Sequence, residues 1–324
     1  MKNDNKSIIM NQYKVKRVMV VGAGTMGHAI AQVYAQNGME VNLIDKEVKA
    51  LERAKKLIKN NLDLLSKHNH IDSNQIPEIL ERLKFSNNLE DSAEKVDLAI
   101  EAVNEVPEIK KLVYQELNEY CSKNTIIASN TSGLNIFELA DIENPQRLII
   151  HHWFCPAYII PLVEIIPGEA TSKKLIQFSI NLMENLGKKP VVLKEFISNF
   201  IVNRIQRVIM VQTWELIQKG WATPEQIDLA IKHSLGVRLP VQGIVQSQDF
   251  TGLDLILDKQ KEFKINTRYQ QIEDMVNKGN LGVKTGNGFY DYGNRSEEEL
   301  LRERDDKCLK MLDFLEKIEA LRNI

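Results

Sequence analysis

The sequence lacks a strong charge imbalance, a cysteine framework and any long hydrophobic run, and each absence removes a class of function. Over 324 residues, 42 Lys and Arg stand against 44 Asp and Glu, a formal net charge of -2. So near-neutral a balance gives no footing for nucleic acid or an anionic membrane surface as a partner. The three cysteines, Cys121, Cys155 and Cys308, lie far apart with no CxxC pair and no metal-ligand spacing. That pattern suits reduced thiols in a reducing compartment and gives no metal site to expect. No window stays apolar for the roughly 18 residues a membrane span needs. The opening MKNDNKSIIMNQYKVK holds only a three-residue apolar run, too short for the core of a signal peptide. Internal repeats and low-complexity segments are also missing. A soluble, cytoplasmic protein is expected.

What is present reads as two domains, as a chain of this length allows. The first half alternates short apolar runs with helical patterns, the mark of a parallel sheet with crossover helices. RVMVV (17–21), EVNLI (40–44), VDLAIEAV (96–103), TIIASN (125–130), RLIIHH (147–152), LVEII (162–166) and PVVLKE (190–195) read as strands. A Lys-rich helix over 47–67, a polar turn and a second helix over 76–83 form a helical hairpin inserted after the second strand. Beyond about residue 195 the pattern is helical. IVNRIQRVIMVQTWELIQKG (201–220) predicts a long helix. TPEQIDLAIKHSLG predicts another, with Thr223 as N-cap, Pro224 at the first helical position and Gly236 as the stop. Ser296 and Glu299 open the tail with a capping box. The expected class is α/β: a domain with a parallel sheet and crossover helices over 1–197, then an all-helical domain over 198–324. In the long helix, Ile201, Ile205, Val208, Ile209, Leu216 and Ile217 cover more of the circumference than one core face needs. The excess points to a homodimer.

VVGAGTMGHAI places GxGxxG directly after a strand and at the opening of a helix, with glycines at Gly22, Gly24 and Gly27. In turn, these glycines permit a tight turn, close approach of a pyrophosphate, and close helix–strand packing. The loop Gly22-Ala23-Gly24-Thr25-Met26-Gly27 would cradle phosphate at the helix N-terminus. Asp45, 18 residues beyond Gly27 at the end of the second strand, would accept hydrogen bonds from the adenosine ribose and repel a 2′-phosphate. NAD is therefore expected rather than NADP.

HHWFCPAYIIPLVEI (151–165) puts the single carboxylate Glu164 inside an apolar run, 12 residues after His152. An unpaired carboxylate there would be costly. One alternative is a strand-end histidine satisfied by backbone, with Glu164 on a solvated edge. The other is a His152–Glu164 pair at the carboxyl end of the sheet, where the carboxylate orients the imidazole and makes it a competent general base.

The set GAGTMG, IEAVNE, ASNTSGL, HWFCP with LVEI following, NFIVNR and GVKTGNGFYDY resembles the L-3-hydroxyacyl-CoA dehydrogenase family, in order, over residues 15–292. The resemblance implies a Rossmann-type domain followed by a helical domain that forms the dimer. It implies oxidation of a secondary 3-hydroxyl, with hydride passing to NAD⁺ and the proton to a histidine. His152 would then be the base and Glu164 its partner. Ser132 would hydrogen-bond the substrate oxygen, and Asn203 would sit beside the histidine. Glu105, Lys110, Ser132 and Lys284 would serve the cofactor. From the residues alone, Lys110 and Lys284 read equally as solvated charges, Asn203 as a cap or helix bridge, and Ser132 as a turn residue.

The chain departs from the family pattern at Cys155, where the family's asparagine helps position the nicotinamide. It departs again at Ser198-Asn199-Phe200 in place of PGF, which still offers N-cap side chains, and in a longer helical tail. The hairpin over 47–83 is where the acyl-CoA enzymes hold the CoA moiety, and Asn61 and Lys67 fall near those contacts. AYIIPLVEIIPG also resembles the branch with L-gulonate 3-dehydrogenase (lambda-crystallin type) and carnitine dehydrogenase, which act on free hydroxy acids. The leading expectation is an NAD-dependent dehydrogenase of short-chain L-3-hydroxyacyl-CoA thioesters. A free 3-hydroxy acid substrate and a non-catalytic, crystallin-like dinucleotide-binding protein are the alternatives.

Overall fold

The computed structural model describes residues 15–262 and 270–322, so the opening stretch weighed as a leader lies almost wholly outside the described residues. The chain divides into two compact units, Met1–Val208 and Ile209–Ile324. That division falls within a helix beginning at Val202, whereas the sequence places the boundary ahead of it, at 197/198.

The first unit is built on eight strands: β1 (Arg17–Val21), β2 (Glu40–Ile44), β3 (Leu83–Ser86), β4 (Leu98–Glu101), β5 (Ile126–Ser129), β6 (Leu148–Trp153), β7 (Leu162–Pro167) and β8 (Lys189–Val192). Their spatial order is β3-β2-β1-β4-β5-β6-β7-β8. The strands from β3 to β6 in this order are parallel. β7 runs antiparallel to β6, and β8 follows β7 in parallel. Residues 154–161 alone join β6 to β7, too few for a parallel crossover, which takes about a dozen or more. The chain must therefore double back. β3 departs from the sequence expectation. LKFS is four residues long with no clear alternation, and its first residue, Leu83, falls where the pattern extends the preceding helix.

Alternate residues of β1 feed two cores. Val18 and Val20 enter one, and Met19 and Val21 the other, as a sheet covered on both faces requires. Covering helices include α1 (Gly27–Gln36), α2 (Val48–Lys67), α3 (Ile76–Glu81), α4 (Pro107–Tyr120) and α5 (Lys173–Asn185). On α2, Leu51, Ala54, Ile58 and Leu62 are buried, a stripe spaced at the helical period.

Helix α6 (Val202–Gln218) carries the chain into the second unit, which contains α7 (Pro224–His233), α8 (Leu235–Gln242) and α9 (Glu297–Lys317) and no strand among the described residues. Capping boxes at Thr223/Gln226 and Ser296/Glu299 start α7 and α9. Gly236 is not a stop: α7 ends at His233 with Ser234 as its C-cap, and Gly236 is the second residue of α8.

Candidate active site

The order β3-β2-β1-β4 makes the gap between β1 and β4 a topological switch point, where ligands bind in open α/β sheets. The glycine loop lies there. Gly22 has φ +107°, and a Cβ on it would come within 2.5 Å of the Ala102 carbonyl oxygen. A Cβ on Gly27 would fall 1.7 Å from the Gly22 oxygen, so the turn closes only with glycine at both. A Cβ on Gly24 would meet nothing within 4 Å; that side is open, and Gly24 and Thr25 are both exposed. The first turn of α1 carries no acidic residue, which leaves its partial positive charge free for phosphate. A cleft of about 860 Å³ is lined by Gly22, Gly24, Asp45, Val103, Asn104 and Leu112 among others. Within the loop, Ala23 is buried and Met26 half-buried.

Asp45 fixes the loop while it serves the cleft. Its Oδ2 accepts from Ala23 N at 2.7 Å and its Oδ1 from Glu47 N at 2.9 Å. A carboxylate has about four acceptor sites, so acceptor capacity remains for ribose hydroxyls. The residues present therefore fit a dinucleotide.

Further along the same sheet edge, β6 presents His152 opposite Glu164 of β7, a register pair. His152 Nδ1 lies 2.7 Å from Glu164 Oε2, and the two residues are 3% and 1% exposed. The solvated-edge alternative is thereby excluded. A carboxylate at this distance accepts from Nδ1–H, which fixes the orientation of the imidazole. Phe154 and Phe200 pack on the imidazole at 4.6 and 5.1 Å between ring centroids. Glu164 also acts at a helix start. Its Oε1 accepts from Ile201 N and Val202 N, both at 3.0 Å, so it caps the entry to α6. Ser198 and Asn199 were expected to supply that cap. Instead Ser198 Oγ donates to the Gly133 carbonyl and Asn199 donates to Ser198 Oγ.

The loop after β5 is gathered by Glu105, whose Oε1 accepts from Thr131 Oγ1, Ser132 N and Gly133 N. Burial pushes the Glu105 carboxyl up, but Lys110 and these donors outweigh it and hold it below the usual range. Asn203 Nδ2 reaches the Ser132 carbonyl at 3.4 Å, so these two expected residues meet. Lys110 is not a solvated charge. It is 1% exposed, and its Nζ sits 2.6 Å from Glu101 and 3.0 Å from Glu105. A direct cofactor contact is thus not its role in this arrangement. Tyr114 and Ser129 complete the Glu101 site with hydroxyl donors at 2.9 and 2.6 Å.

The remaining expected residues lie elsewhere. Asn61 donates to Gln32 Oε1 at 2.9 Å, which spends its amide on pinning α2 to α1. Lys67 is the last residue of α2 and is exposed. Cys155 is an exposed free thiol just beyond β6. Lys284, in the second unit, pairs with Asp254 at 2.7 Å.

Sequence reasoning missed Glu101, Tyr114, Ser129 and Thr131. Two signals were available. Glu101 is a lone carboxylate ending an apolar strand, the same oddity that singled out Glu164. Lys110 falls on the buried stripe with Val113, Tyr114 and Leu117.

Residues 17–196 match the 3-hydroxyacyl-CoA dehydrogenase NAD binding domain, and residues 200–292 match the C-terminal domain of the same family. A probable 3-hydroxybutyryl-CoA dehydrogenase of Bacillus subtilis is 34% identical over 286 residues, covering 86% of this chain and 98% of that one. The 5-formyl-3-hydroxy-2-methylpyridine 4-carboxylate 5-dehydrogenase of Mesorhizobium japonicum is 28% identical over 314 residues, covering 93% and 99%. The crystal structure of an Archaeoglobus fulgidus 3-hydroxyacyl-CoA dehydrogenase aligns with TM-score 0.77 at 30% identity, covering 93% and 99%. The chain belongs to the 3-hydroxyacyl-CoA dehydrogenase family and is an oxidoreductase that uses NAD.

Proposed function

We propose that the chain oxidises the 3-hydroxyl of a short-chain L-3-hydroxyacyl-CoA thioester to the 3-ketone, with His152 as general base. The observation that carries this reading is the buried 2.7 Å contact between His152 Nδ1 and Glu164. Nε2 takes the hydroxyl proton as the carbonyl forms, and the imidazolium is stabilised by Glu164. The Ser132 hydroxyl holds the reacting oxygen, and Asn203, tied to the Ser132 backbone, borders the same place. When bound, NAD⁺ accepts the hydride. Gly22 to Gly27 hold its pyrophosphate and Asp45 its adenosine ribose. Glu105 serves this end by shaping the loop of Ser132, and Cys155 borders the nicotinamide. On the acyl-CoA side, exposed Lys67 is the better candidate, since Asn61 already holds Gln32.

The Bacillus relative's name supports the thioester. The Mesorhizobium relative, named for a pyridine carboxylate, favours a second reading in which the substrate is a small free acid. Cys155 in place of asparagine suits that reading too. One oxygen of Glu164 suffices to cap α6, so the pairing of its other oxygen with a buried histidine argues against an idle, crystallin-like protein. The test is NADH formation with 3-hydroxybutyryl-CoA, free 3-hydroxybutyrate, L-carnitine and L-gulonate. Turnover on the thioester alone supports the first reading, and turnover on a free acid alone replaces it with the second.

A homodimer is part of the proposal. No residue of α6 is buried, and Val208, Val211 and Trp214 are 65%, 56% and 55% exposed. So large an apolar face is most simply covered by a second copy. A monomeric mass by light scattering at micromolar concentration would remove it. The three cysteines are free thiols, in keeping with a reducing compartment such as the cytoplasm, and no helix among the described residues is long and apolar enough to cross a membrane.

A further inference from the structure

We infer that Glu101, sealed away from substrate and cofactor alike, is the positioning residue that sets Ser132, acting through Lys110, Glu105 and Ser129. This rests on the reading that Ser132 meets the substrate oxygen. Glu101 ends β4 and is 0% exposed. Its carboxylate receives four donors: Lys110 Nζ at 2.6 Å and Val103 N at 2.9 Å on Oε1, Tyr114 OH at 2.9 Å and Ser129 Oγ at 2.6 Å on Oε2. Those donors use about all of a carboxylate's acceptor capacity, so neither oxygen has freedom to turn.

Two routes run from this carboxylate to one loop. By the first, Lys110 bridges Glu101 to Glu105, and Glu105 fastens Thr131 Oγ1, Ser132 N and Gly133 N. By the second, Ser129 Oγ donates to Glu101 and accepts from Thr131 N at 3.1 Å. The Ser132 backbone is therefore held from both sides by one anchor in the sheet. A well-packed apolar core in place of a buried ionic cluster is often as stable or more so. The cluster is thus poorly explained by stability alone. It is well explained by the narrow positional tolerance of a residue that meets a reacting oxygen.

A mutant cycle between Glu101→Gln and Ser132→Ala separates positioning from general structure, because a residue that works through Ser132 loses its effect once that hydroxyl is gone. In the full-length enzyme, Glu101→Gln alone should lower kcat by about tenfold or more. NADH affinity by fluorescence titration and the midpoint of the kcat/KM pH profile should hold, since His152 is fixed separately by Glu164. In the Ser132→Ala background, the same change should have almost no further effect. Equal losses in both backgrounds, or weaker NADH binding with kcat intact, would overturn the inference while leaving Ser132 as the substrate contact. If Ser132→Ala itself leaves kcat unchanged, the reading of Ser132 falls and takes this inference with it. Should Glu101→Gln not fold, Tyr114→Phe and Ser129→Ala, each removing one donor, run the same cycle with smaller losses.

Discussion

His151 and His152 are neighbours on one strand and almost equally buried, at 0% and 3% exposure, yet they face opposite sides of the sheet. His152 looks across to a carboxylate 2.7 Å away. His151 has Ser179 Oγ at 2.9 Å on Nε2 and no partner on Nδ1. With no charge to compensate, burial pushes His151 down to about 3. It is therefore locked neutral at any physiological pH, a packing residue. Burial alone does not make a histidine catalytic; the group across the strand pair decides. The pleat enforces the division, because successive side chains on a strand point to opposite faces.

The contrast is sharpest at the proposed base. His152→Gln should lower kcat by about 10²–10⁴-fold, the range for a lost general base, with NADH affinity unchanged by fluorescence titration. His151→Gln should leave kcat within about threefold, since it touches nothing that reacts, and the same steady-state assay checks both. A reversed pattern would assign the base to the wrong histidine.

The glycine loop offers a second contrast, since its specificity lies in one carboxylate rather than a pair. Asp45→Ala should narrow the preference for NAD over NADP by about tenfold or more, equivalent to at least one charged hydrogen bond of about 1.5 kcal/mol. Parallel kcat/KM values for the two cofactors measure it. Because Asp45 also receives Ala23 N and Glu47 N, the variant should bind NAD itself more weakly.

His151 should declare itself through stability instead. Its folded value, about 3, lies below the ordinary 6.5, so the unfolded chain takes up a proton that the native state refuses. Its contribution is complete above pH 6.5 and is lost as pH falls from there toward 3, at up to about 1.4 kcal/mol per unit. Urea midpoints between pH 7 and 5 should fall less steeply for His151→Gln than for the parent. The smallest effect belongs to Cys155→Asn. A neutral hydrogen bond of about 0.5–1.5 kcal/mol would be gained, so kcat/KM on the thioester should rise by about tenfold at most. A loss on every substrate would mark the cysteine as adapted to a different one.

The strands carrying the site and the glycine loop were legible because their signals are local: apolar runs, turn glycines, and a carboxylate at a fixed distance from the loop. The His152–Glu164 pairing was legible because a charge inside an apolar strand demands a partner, and the spacing let a returning strand supply one. Glu164 as the cap of α6 was not legible, since its donors lie 37 and 38 residues away and no periodicity links them. β3 was too short to show a period. Gly236 misled because glycine stops a helix only when it takes the terminal position, and here a second helix begins at Leu235. Lys110 was named for the cofactor through the resemblance, with a solvated charge as its other reading, and Glu101 was passed over; only the packing shows the two paired at 1% and 0% exposure.

The central claim is that Glu164 selects which buried histidine serves as the proposed base, and kcat for Glu164→Gln, alone and combined with His152→Gln or His151→Gln, tests it most directly. With 3-hydroxybutyryl-CoA, the account predicts that Glu164→Gln lowers kcat in the parent and in His151→Gln but has almost no further effect in His152→Gln. A loss that persists in His152→Gln but vanishes in His151→Gln would contradict it.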